Sequence, residues 1–181
     1  MSVTDLMANR YSERRFSSAP VEDEKLQAIL AAGALAPTAE NKQPQRILVV
    51  RGDEALAKMD ECTHRRFGAP VVLVLAYDMT VAARHPDVAD FGMVDIAIVG
   101  DHMSLAAEEL GVHSCWVGLI DPSELRRQFG VPQTYKIVAV MPLGYPSERS
   151  HPSRLHRMRH ELGTTVFFDS YASPDAEGDA E

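Results

Sequence analysis

Phe91-Gly-Met-Val-Asp-Ile-Ala-Ile-Val-Gly-Asp-His-Met-Ser-Leu-Ala-Ala-Glu-Glu-Leu110 is the longest apolar run in the chain and the natural centre of its fold. Apolar residues lie almost all the way round its helical wheel. That predicts a core helix rather than a surface one. Asp95, Asp101, His102, Glu108 and Glu109 interrupt it, so it is no membrane span, which needs roughly 20 uncharged apolar residues. Gly111 stands where a C′ glycine stops a helix.

Working outward toward the N-terminus, Pro70–Tyr77 contains VVLVLAY and reads as a strand buried on both faces. Asp53–Thr63 reads as a helix and Arg46–Val50 as a short strand. Pro37–Pro44 is a polar loop. Before it lies a helix opened by Pro20–Val21. Glu22, Asp23 and Glu24 suit its positive end, and Leu26, Ile29, Leu30 and Ala34 fall at helical spacing. Arg10–Ser18 is a polar link, and Thr4 caps a short helix through Asn9. Toward the C-terminus, His113–Gly118 is short and extended. Asp121-Pro-Ser-Glu124 is a helix start, with Asp121 as N-cap and Pro122 at N1, and Gly130 is the stop. Lys136–Leu143 is another strand, and Gly144–Arg154 is turn-rich and basic. Arg157–Leu162 is expected to form a helix turn and Thr164–Phe168 a β-like run. Helices and strands interleave without a repeat or a linker. The expected class is therefore α+β or mixed α/β, with three or four strands around a buried helix. Residues 1–171 form one domain, followed by an acidic, disordered tail at 172–181.

The chain has 181 residues, enough to bury a core without a disulfide scaffold. Its net charge is −8, from 18 basic and 26 acidic residues, which argues against nonspecific nucleic-acid binding. Asp175, Glu177, Asp179 and Glu181 account for four of those charges, leaving −4 on the body. Arginine supplies 14 of the 18 basic residues, and arginine suits planar, bidentate binding of phosphate or carboxylate. Cys62 and Cys115 are the only cysteines, and Met1–Asn9 has no signal-peptide pattern. Both features fit a reducing cytoplasm, with no membrane association.

No G-x-G spacing, P-loop or G-x-S-x-G motif occurs. His156 and His160 stand four residues apart. With no third ligand nearby they read as solvated helix histidines, so no metal site is expected. Two polar stretches remain. Arg10-Tyr-Ser-Glu-Arg14-Arg15-Phe16 joins two helices and offers hydroxyl, amide and guanidinium donors to an anion. It reads equally as an exposed basic linker. Ala36-Pro-Thr-Ala-Glu-Asn41-Lys42-Gln43-Pro44 sets polar side chains between prolines, a means of reading a planar heterocycle. Taken alone, it is better read as an ordinary polar loop.

Together the two stretches, R-x-S-x-R-x-F and then A-P-[ST]-x-x-N-x-Q-P, resemble the flavin-dependent nitroreductase family. Asp95-Ile-Ala-Ile with Met103–Gly111 resembles that family's central dimerisation helix. Ser114-Cys-Trp-Val-Gly118 resembles its flavin-facing segment. Leu143-Gly-Tyr-Pro146 with Pro152-Ser-Arg154 resembles its closing phosphate-binding stretch. The resemblance covers about Leu6 to Arg159.

The resemblance implies an α+β nitroreductase-like fold, with a central, mostly antiparallel sheet flanked by helices in an intertwined homodimer. FMN would lie at the dimer interface. Arg10, Ser12, Arg14 and Arg154 would hold the FMN phosphate and nearby polar atoms, with Tyr11 contributing its backbone. Pro37, Thr38, Asn41 and Gln43 would approach the flavin of the partner subunit. Cys115, Trp116, Val117 and Gly118 would form the flavin-facing segment, with backbone N–H groups near N5 or O4. Within that segment the Cys115 thiol reads as packed core rather than redox-active.

NADH or NADPH would reduce the flavin at N5, and a nitroaromatic, quinone or similar small molecule would then be reduced in a ping-pong cycle. No side chain is expected to act as catalytic acid or base. His64, Arg65 and Arg66 read equally as charge at the site mouth or as a solvated cluster. The alternatives are an FMN storage or sensor protein, a flavin enzyme of the same fold with another acceptor, or a structural dimer without cofactor. Glu40, Gln45 and Tyr11 depart from frequent family residues. A shorter covering segment is expected to leave the flavin face more open.

Overall fold

The computed structural model describes residues 2–85, 87 and 90–171. The acidic tail expected at 172–181 lies outside the described residues. Helix α1, Val3–Asn9, is capped by Ser2 rather than Thr4. Asp5 explains the shift. Its N–H donates to Ser2 Oγ at 3.1 Å and its carboxyl accepts from Ser2 N–H at 2.9 Å, closing a capping box.

Helix α2, Asp23–Ala34, starts two residues after the Pro20–Val21 entry. Strand β1, Gln45–Arg51, helix α3, Asp53–Cys62, and strand β2, Val71–Asp78, follow as expected within a residue or so. Then come helix α4, Phe91–Glu109, strand β3, His113–Ser114, helix α5, Pro122–Phe129, and strand β4, Tyr135–Gly144. The four strands form one sheet in the order β1-β2-β4-β3, and every pairing is antiparallel.

All eight residues of β2 are buried, because helices cover both faces of the central strand. Val71, Leu73, Leu75 and Tyr77 join the core built with α2 and α4. Val72 and Val74 point the other way, into the core built with α3 and α5. This alternation follows from the two-residue period of a strand. Helix α2 crosses α4 closely at Gly33, where a Cβ would come within 2.8 Å of Met103 Cγ.

Two local signals act as read. Asp121 Oδ1 accepts from Ser123 and Glu124 N–H, and Gly130 ends α5 at φ 64°. Gly111, at φ 71°, ends α4 in a Schellman arrangement. Val112 N–H reaches Ala107 O at 2.8 Å and Gly111 N–H reaches Glu108 O at 3.0 Å.

Two expectations need correction. Helix α4 is not enclosed within the chain. Its Ile96, Val99, Gly100, Met103 and Ala107 stripe packs inward, but Met93 and Val94 on the far side are 38% and 49% exposed. One sheet and one helix cover only one side of a cylinder. The second correction concerns the C-terminal segment. Residues 164–168 form no strand, and the expected turn of helix at 157–162 is replaced by 3-10 turns at Arg154–Arg157 and Leu162–Thr164. β-branched and aromatic residues favour a strand only beside a neighbouring strand, and Val166, Phe167 and Phe168 are exposed instead.

Candidate functional site

The arginine-rich segment is not a loose linker. Ser12 bridges Ser114 in parallel and Glu13 N–H donates to Ser114 O at 3.0 Å. Phe16 N–H reaches Phe67 O at 3.2 Å, and Ser17 N–H reaches Tyr145 O at 2.8 Å. The segment is thus sewn to the edge of the sheet as extended chain. Phe16 is buried, and a Cβ on Gly144 would come within 3.1 Å of its ring and 2.7 Å of Pro70, so only glycine fits there.

Glu13 organises this stretch. It is 1% exposed, and its carboxyl accepts from Arg14 N–H at 2.8 Å and Arg15 N–H at 2.6 Å. It also accepts from Tyr11 Oη at 2.9 Å and Ser150 Oγ at 2.5 Å. With Glu13 turned inward, its neighbours Ser12 and Arg14 face outward, as alternation along extended chain requires.

They line a cleft of about 220 Å³. Its cations are Arg10, Arg14 and Arg159, its hydroxyls Ser12 and Ser153, and no acid contributes to its wall. Tyr11 and His156 complete the polar lining. His156 Nε2 lies 3.0 Å from Ala8 O, which fastens the C-terminal segment to the end of α1. Tyr11 also packs on His113, with ring centroids 5.0 Å apart.

An adjoining cleft of about 570 Å³ shares Ser12, Arg14 and Ser153 and adds Arg15, His151, Arg154 and one acid, Glu13. Arg154 thus lines the adjoining cleft, while Arg10 lines the first.

The segment after β3 alternates in its hydrogen bonding. Cys115 N–H donates to Pro142 O at 3.2 Å and Val117 N–H to Val140 O at 3.0 Å. The expected Val117 donor is thus committed to β4 and unavailable to a ligand. Among the described residues, the amides of Trp116 and Gly118 make no backbone hydrogen bond. The Trp116 indole packs toward α4, where a Cβ on Gly100 would come within 2.3 Å of it. That side chain is therefore a packing group. Cys115 is 1% exposed, and burial pushes its thiol pKa up, the opposite of a reactive thiol.

The loop holding Pro37, Thr38, Asn41 and Gln43 lines neither arginine cleft. It makes a tight turn, with Glu40, Asn41 and Gln43 at φ 54°, 55° and 48°. Thr38 Oγ1 accepts from Gln43 N–H at 3.1 Å, and Gln43 Nε2 donates to Asn41 Oδ1 at 3.2 Å. Arg66 is likewise committed elsewhere. Its guanidinium grips Asp60 through two bonds of 2.7 Å and Ala69 O at 2.8 Å. His156 lies in the 3-10 turn that ends at Arg157, so no helix joins it to His160.

Sequence reading missed Glu13, Ser153, His156 and Arg159. The signal for Glu13 was there: a lone acid at an alternate position among arginines is a natural acceptor for their backbone. The other three come from a segment whose route over the site depends on long-range contacts.

The fold is α+β, and Arg10, Arg14 and Arg159 gather beside its sheet edge in a cleft with no acid among its described lining residues. The chain belongs to the nitroreductase family, whose sequence pattern matches residues 7–67 and 62–145. An Archaeoglobus fulgidus protein with the provisional name NADH dehydrogenase/NAD(P)H nitroreductase is 32% identical over 170 residues, covering 84% of this chain and 95% of its own. A Thermus thermophilus NADH dehydrogenase is 31% identical over 185 residues, covering 82% of this chain and 88% of its own. A solved nitroreductase family protein from Clostridium difficile 630 superposes with a TM-score of 0.87 at 31% identity, over 94% of this chain and 99% of its own.

Proposed function

We propose that this protein is an FMN-dependent oxidoreductase. It takes electrons from NADH or NADPH and passes them to a nitroaromatic, quinone or similar acceptor by a ping-pong cycle. One observation carries this reading. An arginine cleft without an acid is stitched, through the Ser12–Ser114 bridge, to a segment with two open amides. A ligand with a dianionic phosphate at one end and a polar heterocycle at the other fits that donor set. The names of the Archaeoglobus and Thermus relatives support the nicotinamide donor.

Arg10, Ser12, Arg14 and Arg159 hold the phosphate, and Arg154 reaches the same anion from the adjoining cleft. Tyr11 contributes backbone. Trp116 and Gly118 amides face the polar edge of the ring system, while Cys115 and Val117 hold that segment to β4. Open amides there stabilise negative charge on the ring when it is reduced. Bound FMN supplies the two-electron chemistry. The protein supplies position and donors, and no side chain serves as acid or base.

The working unit is a homodimer. Met93 and Val94 of α4 are exposed, as are Leu155, Met158, Phe167, Phe168 and Tyr171 of the C-terminal segment, and these are apolar side chains that a second copy would cover. In the dimer, Pro37, Thr38, Asn41 and Gln43 meet the flavin of the partner subunit. Among the described residues, no helix is long and apolar enough to cross a membrane. The reducing cytoplasm remains the compartment that two buried free thiols suit.

The test is a visible spectrum of the purified protein, followed by anaerobic addition of NADH and NADPH and then an acceptor. Bleaching by a nicotinamide and recovery with the acceptor are expected. A bound flavin that stays oxidised with both nicotinamides would leave a storage or sensor role. A protein that takes up no FMN would leave a structural dimer.

A further inference from the structure

Asp95 is the one charged residue of α4 that is buried, at 2% exposure. Its neighbours Ile96 and Val99 belong to the apolar core, where an acid is costly and needs a reason. One partner is plain: Oδ1 accepts from Ala39 N–H at 2.9 Å, across 56 positions of sequence. Its other oxygen, Oδ2, is buried without a hydrogen-bond partner among the described residues.

Ala39 begins the 3-10 turn of the Pro37–Gln43 loop. Three residues of that loop sit in the left-handed region, which non-glycine residues avoid unless something holds them. The other hydrogen bonds of residues 38–42 close within the loop: Asn41 N–H to Thr38 O, Lys42 N–H to Ala39 O, Gln43 N–H to Thr38 Oγ1. These give the turn its shape but not its place. Among the described residues, Arg46 Nη1 of β1 donates to Gln43 O at 3.3 Å where the loop runs into its strand, and the Asp95 bond fastens the 3-10 turn itself to α4. That is the helix whose exposed face is proposed to meet a second copy.

We infer that Asp95 is a positioning residue for the flavin-binding loop, holding Ala39 N–H so that Thr38 and Asn41 are presented to the partner subunit's flavin in fixed geometry. This rests on the loop–flavin contact proposed above. Removing the bond frees the loop without touching the phosphate cleft, so the flavin should lose affinity and its visible circular dichroism should change shape.

The test is a double-mutant cycle on the full-length protein, read by FMN titration and visible circular dichroism. Asp95→Ala removes the acceptor. Ala39→Pro removes the donor at an N1 position, where proline otherwise fits. Each single change should weaken FMN by about tenfold, the scale of one hydrogen bond to a charged group. The double variant should be no weaker than the weaker single one, because both remove one bond. Asp95→Asn keeps an acceptor oxygen and should restore most of the affinity and the native dichroism. A merely structural role would lower the melting temperature but leave the flavin's dichroism and affinity unchanged.

If losses multiply, or if Asp95→Ala binds FMN like wild type, the inference falls while the function stands. Wild-type protein that takes up no FMN overturns both. Should Asp95→Ala not fold, Ala39→Pro and Asp95→Asn decide. Wild-type affinity in the former, or a full loss in the latter, overturns the inference.

Discussion

Glu13 carries the heaviest prediction. Glu13→Ala removes a buried carboxyl that accepts from two backbone N–H groups and two hydroxyls. The hydroxyls of Tyr11 and Ser150 can turn toward other acceptors. The Arg14 and Arg15 amides cannot, because the bridge at Ser12 and the bond from Ser147 N–H to Arg15 O fix the backbone. Each stranded amide costs about 1–3 kcal/mol, so the variant should lose about 2–6 kcal/mol. That is a large share of the roughly 5–15 kcal/mol that holds a domain folded. Glu13→Gln keeps one oxygen for the amides, and both hydroxyls can accept from its new N–H₂, so it should lose far less. Urea unfolding of the three proteins, at equal m-value, measures both differences. Flavin affinity should fall with Glu13→Ala, since Ser12 and Arg14 lose their fixed alternation. Stability within about 0.5 kcal/mol of wild type for Glu13→Ala would refute this account of the segment, as that is what an unremarkable surface change gives. So would a Glu13→Gln variant as damaged as the alanine.

Three further predictions concern separate parts of the molecule. Arg154→Ala should weaken FMN by about 1.5–3 kcal/mol if its guanidinium shares the phosphate from the adjoining cleft, and a titration showing no change would remove it from the site. Gly100→Ala drives a methyl into the Trp116 indole and should destabilise by about 1–3 kcal/mol, read as a lowered thermal midpoint; an unchanged melt would mean the indole moves freely. Asp78 accepts from the Thr80 hydroxyl at 2.6 Å and amide at 2.9 Å, with Arg46 at 3.5 Å, and these hold its pKa below the ordinary carboxylate value. Its stabilisation is therefore complete above the unfolded pKa of about 3.9 and is lost as pH falls through the lower folded value. Asp78→Asn should flatten stability against pH on the acid side, and an unaltered acid limb would contradict it.

Much of the architecture was legible because it is written locally. Asp121, Pro122 and Gly130 bound α5 as read, and Gly111 ends α4 where a C′ glycine should. The apolar run of β2 announced a strand covered on both faces, and both faces are covered. Capping and periodicity act within a few residues, so a single chain segment carries the whole signal. Where two local signals competed, the finer one won: Ser2 displaced Thr4 because Asp5 stands three residues after Ser2. Thr164–Phe168 misled for the opposite reason. Its β-favouring residues had no strand beside them, and propensity without a partner does not make a sheet.

What the sequence determined by itself was the order of elements, the family, and the arginines gathered near the N-terminus. Only the tertiary structure decided which groups in those motifs are already engaged within the chain. The register of Cys115–Val117 on β4 engages the amides of Cys115 and Val117 and, among the described residues, leaves those of Trp116 and Gly118 without a backbone hydrogen bond. The burial of Glu13 turns an acid in the basic motif into its internal brace. The bond from Asp95 to Ala39 joins positions 56 apart. Such pairings follow from how distant segments meet, and hydrogen-bond partners chosen across the fold leave no periodicity in the chain.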